Sequence, residues 1–140
     1  MGVSNYDISS TVGTMVSQRL VRKLCKKCAK KREFTNEEKE IILQIGEKYN
    51  TKFDLEGKYT YDAVGCKDCN HSGYYDRIGI FEVLSVEDNI KELLVNGASA
   101  IEVRNEALKG SYKPLVVDGI NKVLEGITNL NEIDKKLIIY

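Results

Sequence analysis

The four cysteines of this 140-residue chain fall in two C-x2-C pairs, Cys25-Lys26-Lys27-Cys28 and Cys66-Lys67-Asp68-Cys69, with 37 residues between them. A two-residue spacer lets one short turn present both sulfurs to the same ion, and two such turns supply four soft ligands to a tetrahedral zinc at roughly 2.3 Å each. The expected metal ligands are therefore Cys25, Cys28, Cys66 and Cys69. The competing reading is two disulfides, which need an oxidising compartment. The chain opens without a basic n-region, apolar h-region or cleavage site, and this favours zinc or a similar thiophilic metal. Four protein ligands leave no coordination position for water or substrate, so the expected role is structural, with Lys26, Lys27 and Lys67 placed to favour the thiolates.

Other chemistry is sparse. His71 is the sole histidine, two residues past Cys69. With four thiols filling the site and no serine or second histidine to act on, it reads as a polar turn residue, not a fifth ligand or a base. None of the 11 glycines lies in a G-x4-G-K-[ST] phosphate cradle. Gly57-Lys58 comes nearest, with Lys52 in the place of the first glycine and Tyr59 in that of the hydroxyl. No catalytic or cofactor-binding residue is assigned.

Lys and Arg number 21, as do Asp and Glu, yet residues 1 to 32 hold eight basic side chains against Asp7 alone. All eight lie between Arg19 and Arg32. Such a window could bind nucleic acid through counterion release, which gives an alternative reading as a stand-alone zinc-binding regulator. Phe34 is its only nearby aromatic and no nucleic-acid-reading motif accompanies it, so a solvated face, or contact with protein or phospholipid headgroups, is the expected use. No apolar run approaches the ~20 residues of a membrane span. At 42% hydrophobic, the chain suffices for one core plus a small module needing a staple of its own.

The elements that must position the cysteines follow from periodicity. Ile8, Val12, Met15 and Val16 share a helical face and predict a helix over 5–17. Gln18 to Leu24 reads as a strand carrying Leu20 and Leu24. The capping box Thr35-x-x-Glu38 opens a helix over 36–49 with Ile41, Ile42, Ile45 and Tyr49 as its stripe. Residues 50–65 read as loop with one short strand near Tyr59–Ala63. Arg77–Leu84 is the most β-like run, with Ile78 and Ile80 on one face and Phe81 and Val83 on the other. Four short helices are then expected: one capped by Ser85 and Asp88 and ending at Asn96-Gly97, one opened by the Ser99/Glu102 box, one after Pro114 that Gly126 stops, and one capped by Thr128. They should form a compact bundle, with Leu137-Ile138-Ile139-Tyr140 packing back on it. The expected fold is mainly α with a small β element, in which a tetracysteine zinc module sits between two short strands and a C-terminal helical bundle follows.

The runs Ser17–Cys28 and Gly65–Leu84, continued by Gly97-Ala98-Ser99, Ile101–Arg104, Asp118–Val123 and Gly126-Ile127-Thr128, closely resemble the C-terminal region of the type IV pilus assembly and type II secretion ATPases. The resemblance covers essentially the whole chain. It implies that the four cysteines are that family's tetracysteine zinc motif, which the related retraction motors replace by a short turn. It further implies residues 1–24 as the tail of a RecA-like ATPase lobe, 25–72 as the zinc-binding module, and 73–140 as a strand plus helical subdomain. The parent would be a hexameric cytoplasmic motor at the inner face of the cell membrane. Its partners would be an inner-membrane platform protein and neighbouring motor subunits, with membrane association only through them and no nucleic acid. ATP and Mg2+ would belong to the parent alone, since its nucleotide motifs would lie upstream. Met1-Gly2-Val3 resembles the interior of that family's sequence, so an excised fragment is expected.

Overall fold

The computed structural model describes residues 2–137, which are mostly helical, with six helices and two two-stranded sheets among them. Helix α1 spans Asn5–Thr11 and strand β1 spans Thr14–Leu24. The expected helix over 5–17 is thus too long. Val12 is already extended at φ −87° and ψ 112°, and Gly13 separates it from the β-branched Thr14 and Val16. Pairing with a partner strand there outweighs the helical period of four apolar residues. Within β1 the buried side chains are Val21 and Leu24, whereas Leu20 is exposed.

Strand β2 is the basic triplet Lys30–Arg32, which carries no apolar alternation and was not expected from sequence. Helix α2 (Asn36–Lys48) opens on the predicted capping box: Thr35 Oγ1 accepts the Glu38 amide at 3.2 Å, and Glu38 accepts the Thr35 amide at 2.9 Å. Strand β3 (Thr60–Asp62) falls inside the expected 59–63 segment and pairs antiparallel with β2, matching Lys30 with Asp62 and Arg32 with Thr60. Strand β4 (Tyr74–Ser85) pairs with β1. Ile80 is fully buried, while Phe81 and Val83 on the opposite face are exposed, as the alternation predicts.

Helix α3 (Asp88–Val95) is preceded by Glu87 as its N-cap residue, without a side-chain capping bond. The expected Ser85 cap is corrected, because Ser85 is the last residue of β4. Helix α4 (Ala100–Lys109) carries the full Ser99/Glu102 box. Helix α5 (Leu115–Leu124) begins directly after Pro114, and α6 is Leu130–Leu137. Asn129, not Thr128, receives the Glu132 amide on its side chain, at 3.1 Å. The Thr128 hydroxyl instead donates to the Arg22 carbonyl at 2.9 Å, a partner 106 residues away. Ile138, Ile139 and Tyr140 lie outside the described residues.

The chain divides into two compact units, one formed by residues up to Ser17 with Glu82–Pro114, the other by Gln18–Phe81 with the residues from Leu115 on. The four expected bundle helices are therefore shared out, α3 and α4 to the first unit and α5 and α6 to the second. The first unit is built on buried Val86, Ile90 and Ala107, with Leu84, Leu94 and Val103 against them. The second has the larger core, in which Val21 and Ile80 from β1 and β4 meet Ile42 and Ile45 of α2, Ile120 and Val123 of α5, and Ile133 of α6.

Candidate metal centre

All four cysteines belong to the second unit. The first pair follows β1 without a gap, in a turn where the Cys28 and Ala29 amides both donate to the Cys25 carbonyl, at 3.2 and 2.9 Å. The second pair occupies a single 3-10 turn, Lys67–Cys69 with Cys66 as its extended N-cap, closed by left-handed Asn70 at φ 49° and His71 at φ 59°. Two strand pairings meet at these turns. β1 and β4 hold the outer ends of the pairs together, and β2 and β3 hold the inner ends, so residues far apart in sequence come together at one point.

Two glycines make the close approach of the second turn feasible. Gly65 (φ 101°) and Gly73 (φ 77°) bracket it, and a Cβ on either would lie 2.6 Å from backbone, of His71 in one case and Ala63 in the other. The left-handed conformation and the lack of room both require glycine there.

The four Sγ atoms lie within 4.8 Å of one another, an arrangement that could hold a metal ion. Individual separations are 3.9 Å for Cys25–Cys66, 3.8 Å for Cys28–Cys69 and 3.7 Å for Cys66–Cys69. A regular tetrahedron of sulfurs at the usual zinc distance has edges of about 3.8 Å. No pair is near the ~2.05 Å of a disulfide, and all four cysteines are free. The donor set and its spacing therefore fit a thiophilic ion.

The electrostatics show what such an ion would relieve. Burial pushes the Cys69 thiol up, but the backbone amides of Cys66 (3.1 Å) and Gly73 (3.3 Å), together with the Cys66 and Cys28 side chains, outweigh it and hold the group at about 6. Burial also pushes the Cys28 thiol up, to about 12, and the neighbouring cysteines add to the rise. One thiolate is thus supported by the fold, while further ionisation beside it is opposed by like charge in a desolvated place. A divalent cation would supply the countercharge. The sequence points to the lysines in the turns as thiolate partners. Lys27 instead bridges to Asp68 at 2.6 Å, linking the two turns to each other, and the amides that do act on sulfur have no signature in residue type.

His71 is exposed, donates its amide to the Cys66 carbonyl at 2.8 Å, and is not part of the thiol cluster. The basic window is largely committed to internal partners. Arg22 pairs with Glu132, Lys23 with Asp76, Lys27 with Asp68, Arg32 with Glu38 and Asp62, and Lys31 lies over the Tyr59 ring. Cations already paired release few counterions, so the nucleic-acid alternative is not favoured.

Comparison with known proteins supplies the remaining observation: residues 1–135 match the family model for the type II/IV secretion system protein. The chain belongs to that family. Its similarity to curated relatives extends over 95% of its length. It is 36% identical over 95% of the chain to the type IV pilus assembly ATPase PilB of Myxococcus xanthus, covering 23% of that protein. It is 35% identical over 95% of the chain to the PilB of Thermus thermophilus, covering 14% of that protein. It is 36% identical over 95% of the chain to the type II secretion system ATPase E of Vibrio cholerae, covering 25% of that protein. The chain thus spans about a quarter or less of the length of these relatives. Among the described residues, no helix is long and apolar enough to cross a membrane.

Proposed function

We propose that this chain is the zinc-stabilised C-terminal structural and partner-contact region of a hexameric motor ATPase that powers type IV pilus assembly or type II secretion. The observation that carries the reading is the set of four Sγ atoms within 4.8 Å of one another in a chain of this family. Cys25, Cys28, Cys66 and Cys69 are the ligands, and residues 25–72 are the module they close. Residues 1–24 continue a RecA-like lobe, and those from 73 on supply a strand and helices.

When bound, zinc supplies charge neutralisation and a covalent-strength cross-link, with no open coordination position. The chain's own residues do the rest. The Cys66 and Gly73 amides hold Cys69 as thiolate, Gly65 and Gly73 admit the tight turn, and the Lys27–Asp68 pair ties turn to turn. A module of this size has too little apolar surface to be stable alone, and structural zinc contributes on the order of 10 kcal/mol.

ATP hydrolysis belongs to the parent motor, and no residue of this chain is assigned to it. The region works at the cytoplasmic face of the cell membrane, in contact with an inner-membrane platform protein and neighbouring subunits. Metal analysis of the purified protein tests the central claim. The expected result is one zinc per chain with four thiols shielded from alkylation. A metal-free protein with an intact fold and freely alkylated thiols would overturn it.

A further inference from the structure

The polar contacts of the second unit converge on a place the metal does not touch, the turn 125–129 between α5 and α6. Two short routes lead there from the cysteines. On the first, the Cys25 amide donates to the Gly73 carbonyl at 3.0 Å and the Gly73 amide donates to Cys69 Sγ at 3.3 Å, so one residue is bonded to both cysteine pairs. Its neighbour Tyr74 donates its hydroxyl to Asn129 Oδ1 at 3.1 Å. That same Oδ1 accepts the Glu132 amide at 3.1 Å and so caps α6. On the second, Leu24, directly before Cys25, donates its amide to the Ile127 carbonyl at 2.8 Å.

Arg22 locks the two routes together. Its guanidinium lies 4.0 Å from the Tyr74 ring centroid and donates to the buried Glu132 carboxylate at 2.6 and 3.0 Å. Its own amide donates to Glu132 at 3.0 Å, and its carbonyl accepts the Thr128 hydroxyl. From β3, Tyr61 offers its carbonyl to Asn129 Nδ2 at 3.4 Å. The Tyr61 ring closes over Gly126 so tightly that a Cβ there would lie 2.8 Å from it. Every strand that leads into or out of a cysteine pair, β2 apart, is thereby fastened to this turn.

We infer that the metal centre sets the conformation of the α5–α6 turn and the start of α6 through Gly73, Tyr74 and Asn129 on one side and Leu24 and Ile127 on the other. The inference rests on the zinc reading above. Cys69 and Cys25 hold Gly73 in place only while the sulfurs are drawn to one point. Release of the ion lets the four sulfurs repel or separate, and Gly73 and Tyr74 move with them. Asn129 then loses the partner that orients its side chain toward the α6 amide. The device makes metal occupancy readable on a helix pair that carries no ligand.

Linkage makes the test reciprocal: if the metal orders the turn, loosening the turn weakens metal binding by the same factor. Zinc affinity is measured by competition with a chromophoric chelator for the wild type, Asn129→Ala, Tyr74→Phe, and Ile45→Val as a core control off the network. The expected result is a loss of about fivefold or more for Asn129→Ala, the low end of usual coupling, a smaller loss for Tyr74→Phe, and less than a twofold change for Ile45→Val. In parallel, chelation of the wild type is expected to raise hydrogen exchange at 127–133. Unchanged affinity in both network variants, or a loss shared equally by Ile45→Val, overturns the coupling while leaving the zinc reading intact. A purified protein that binds no zinc overturns both.

Discussion

The two units of this chain reach order by different means. In the unit holding α1, α3 and α4, the helix starts are set locally, although the Val86 amide also donates to the distant Gly13 carbonyl at 2.9 Å. Ser4 caps α1, Ser99 and Glu102 form a reciprocal box on α4, and three buried residues make the core. In the other unit many ties run between distant positions, as in Arg22 with Glu132, Tyr74 with Asn129 and the four thiols, and eleven buried apolar residues form the core among the described residues. Local signals suffice where helices need only a start, a stop and an apolar stripe. Where the segments that meet are far apart in sequence, the links that close the long loops between them are also the points of failure.

The largest effect is expected from metal removal. Cys66→Ser, or chelation, should cost the second unit several kcal/mol and raise hydrogen exchange across 30–69, while peptides of α3 and α4 change little. Equal loss of protection in both units would erase the contrast. Next comes Arg22→Ala, which strands a carboxylate that is 1% exposed. The expected cost is about 3 kcal/mol by urea unfolding, the lower end for a broken buried pair because the Arg22 side chain is 39% exposed.

The same pair gives a pH signature. Burial acts to raise the Glu132 carboxyl, but the bonds and charge from Arg22 outweigh it and hold the group below its ordinary value. Its contribution is therefore present above the unfolded carboxyl value of about 4.3 and is lost as pH falls through the lower folded value. The stability gap between wild type and Arg22→Ala should accordingly narrow between pH 7 and pH 3. A gap that stays constant would show that Arg22 acts by packing alone.

Smaller effects sharpen the contrast from the local side. Ser99→Ala removes the reciprocal cap of α4 and should cost about 1 kcal/mol, read in the exchange of the first unit and not the second. Thr60→Val has the opposite sign. Thr60 is fully buried on β3 and its hydroxyl has no hydrogen-bond partner among the described residues, so an apolar replacement of the same shape should stabilise by about 1 kcal/mol, measured as a raised urea midpoint.

What was legible in the sequence follows the same division. The two capping boxes, the α2 stripe and the alternation of β4 depend on neighbours within a few positions, and all are found where the pattern puts them. The first helix was over-extended because Met15 and Val16 fit a helical face as well as a strand, and only the presence of β4 as a partner decides between them. β2 was invisible because Lys-Lys-Arg has no apolar alternation and exists as a strand only through its pairing with β3. The caps of α3 and α6 moved by one or two residues, since Ser85 is claimed by a sheet and Thr128 by the Arg22 carbonyl.

By itself, then, the sequence determined the cysteine pairs, the chemistry of their donors and the family, because residue type and spacing survive without knowledge of the fold. Only the tertiary structure decided that the four sulfurs lie within 4.8 Å of one another and that backbone amides donate to Cys69. It alone joined Arg22 to Glu132 across 110 positions and brought the α5–α6 turn up against the strands that carry the thiols. The physical reason is range. Donor chemistry is a property of single residues, whereas burial, backbone hydrogen bonds and desolvated charge pairs exist only once distant segments have closed on one another.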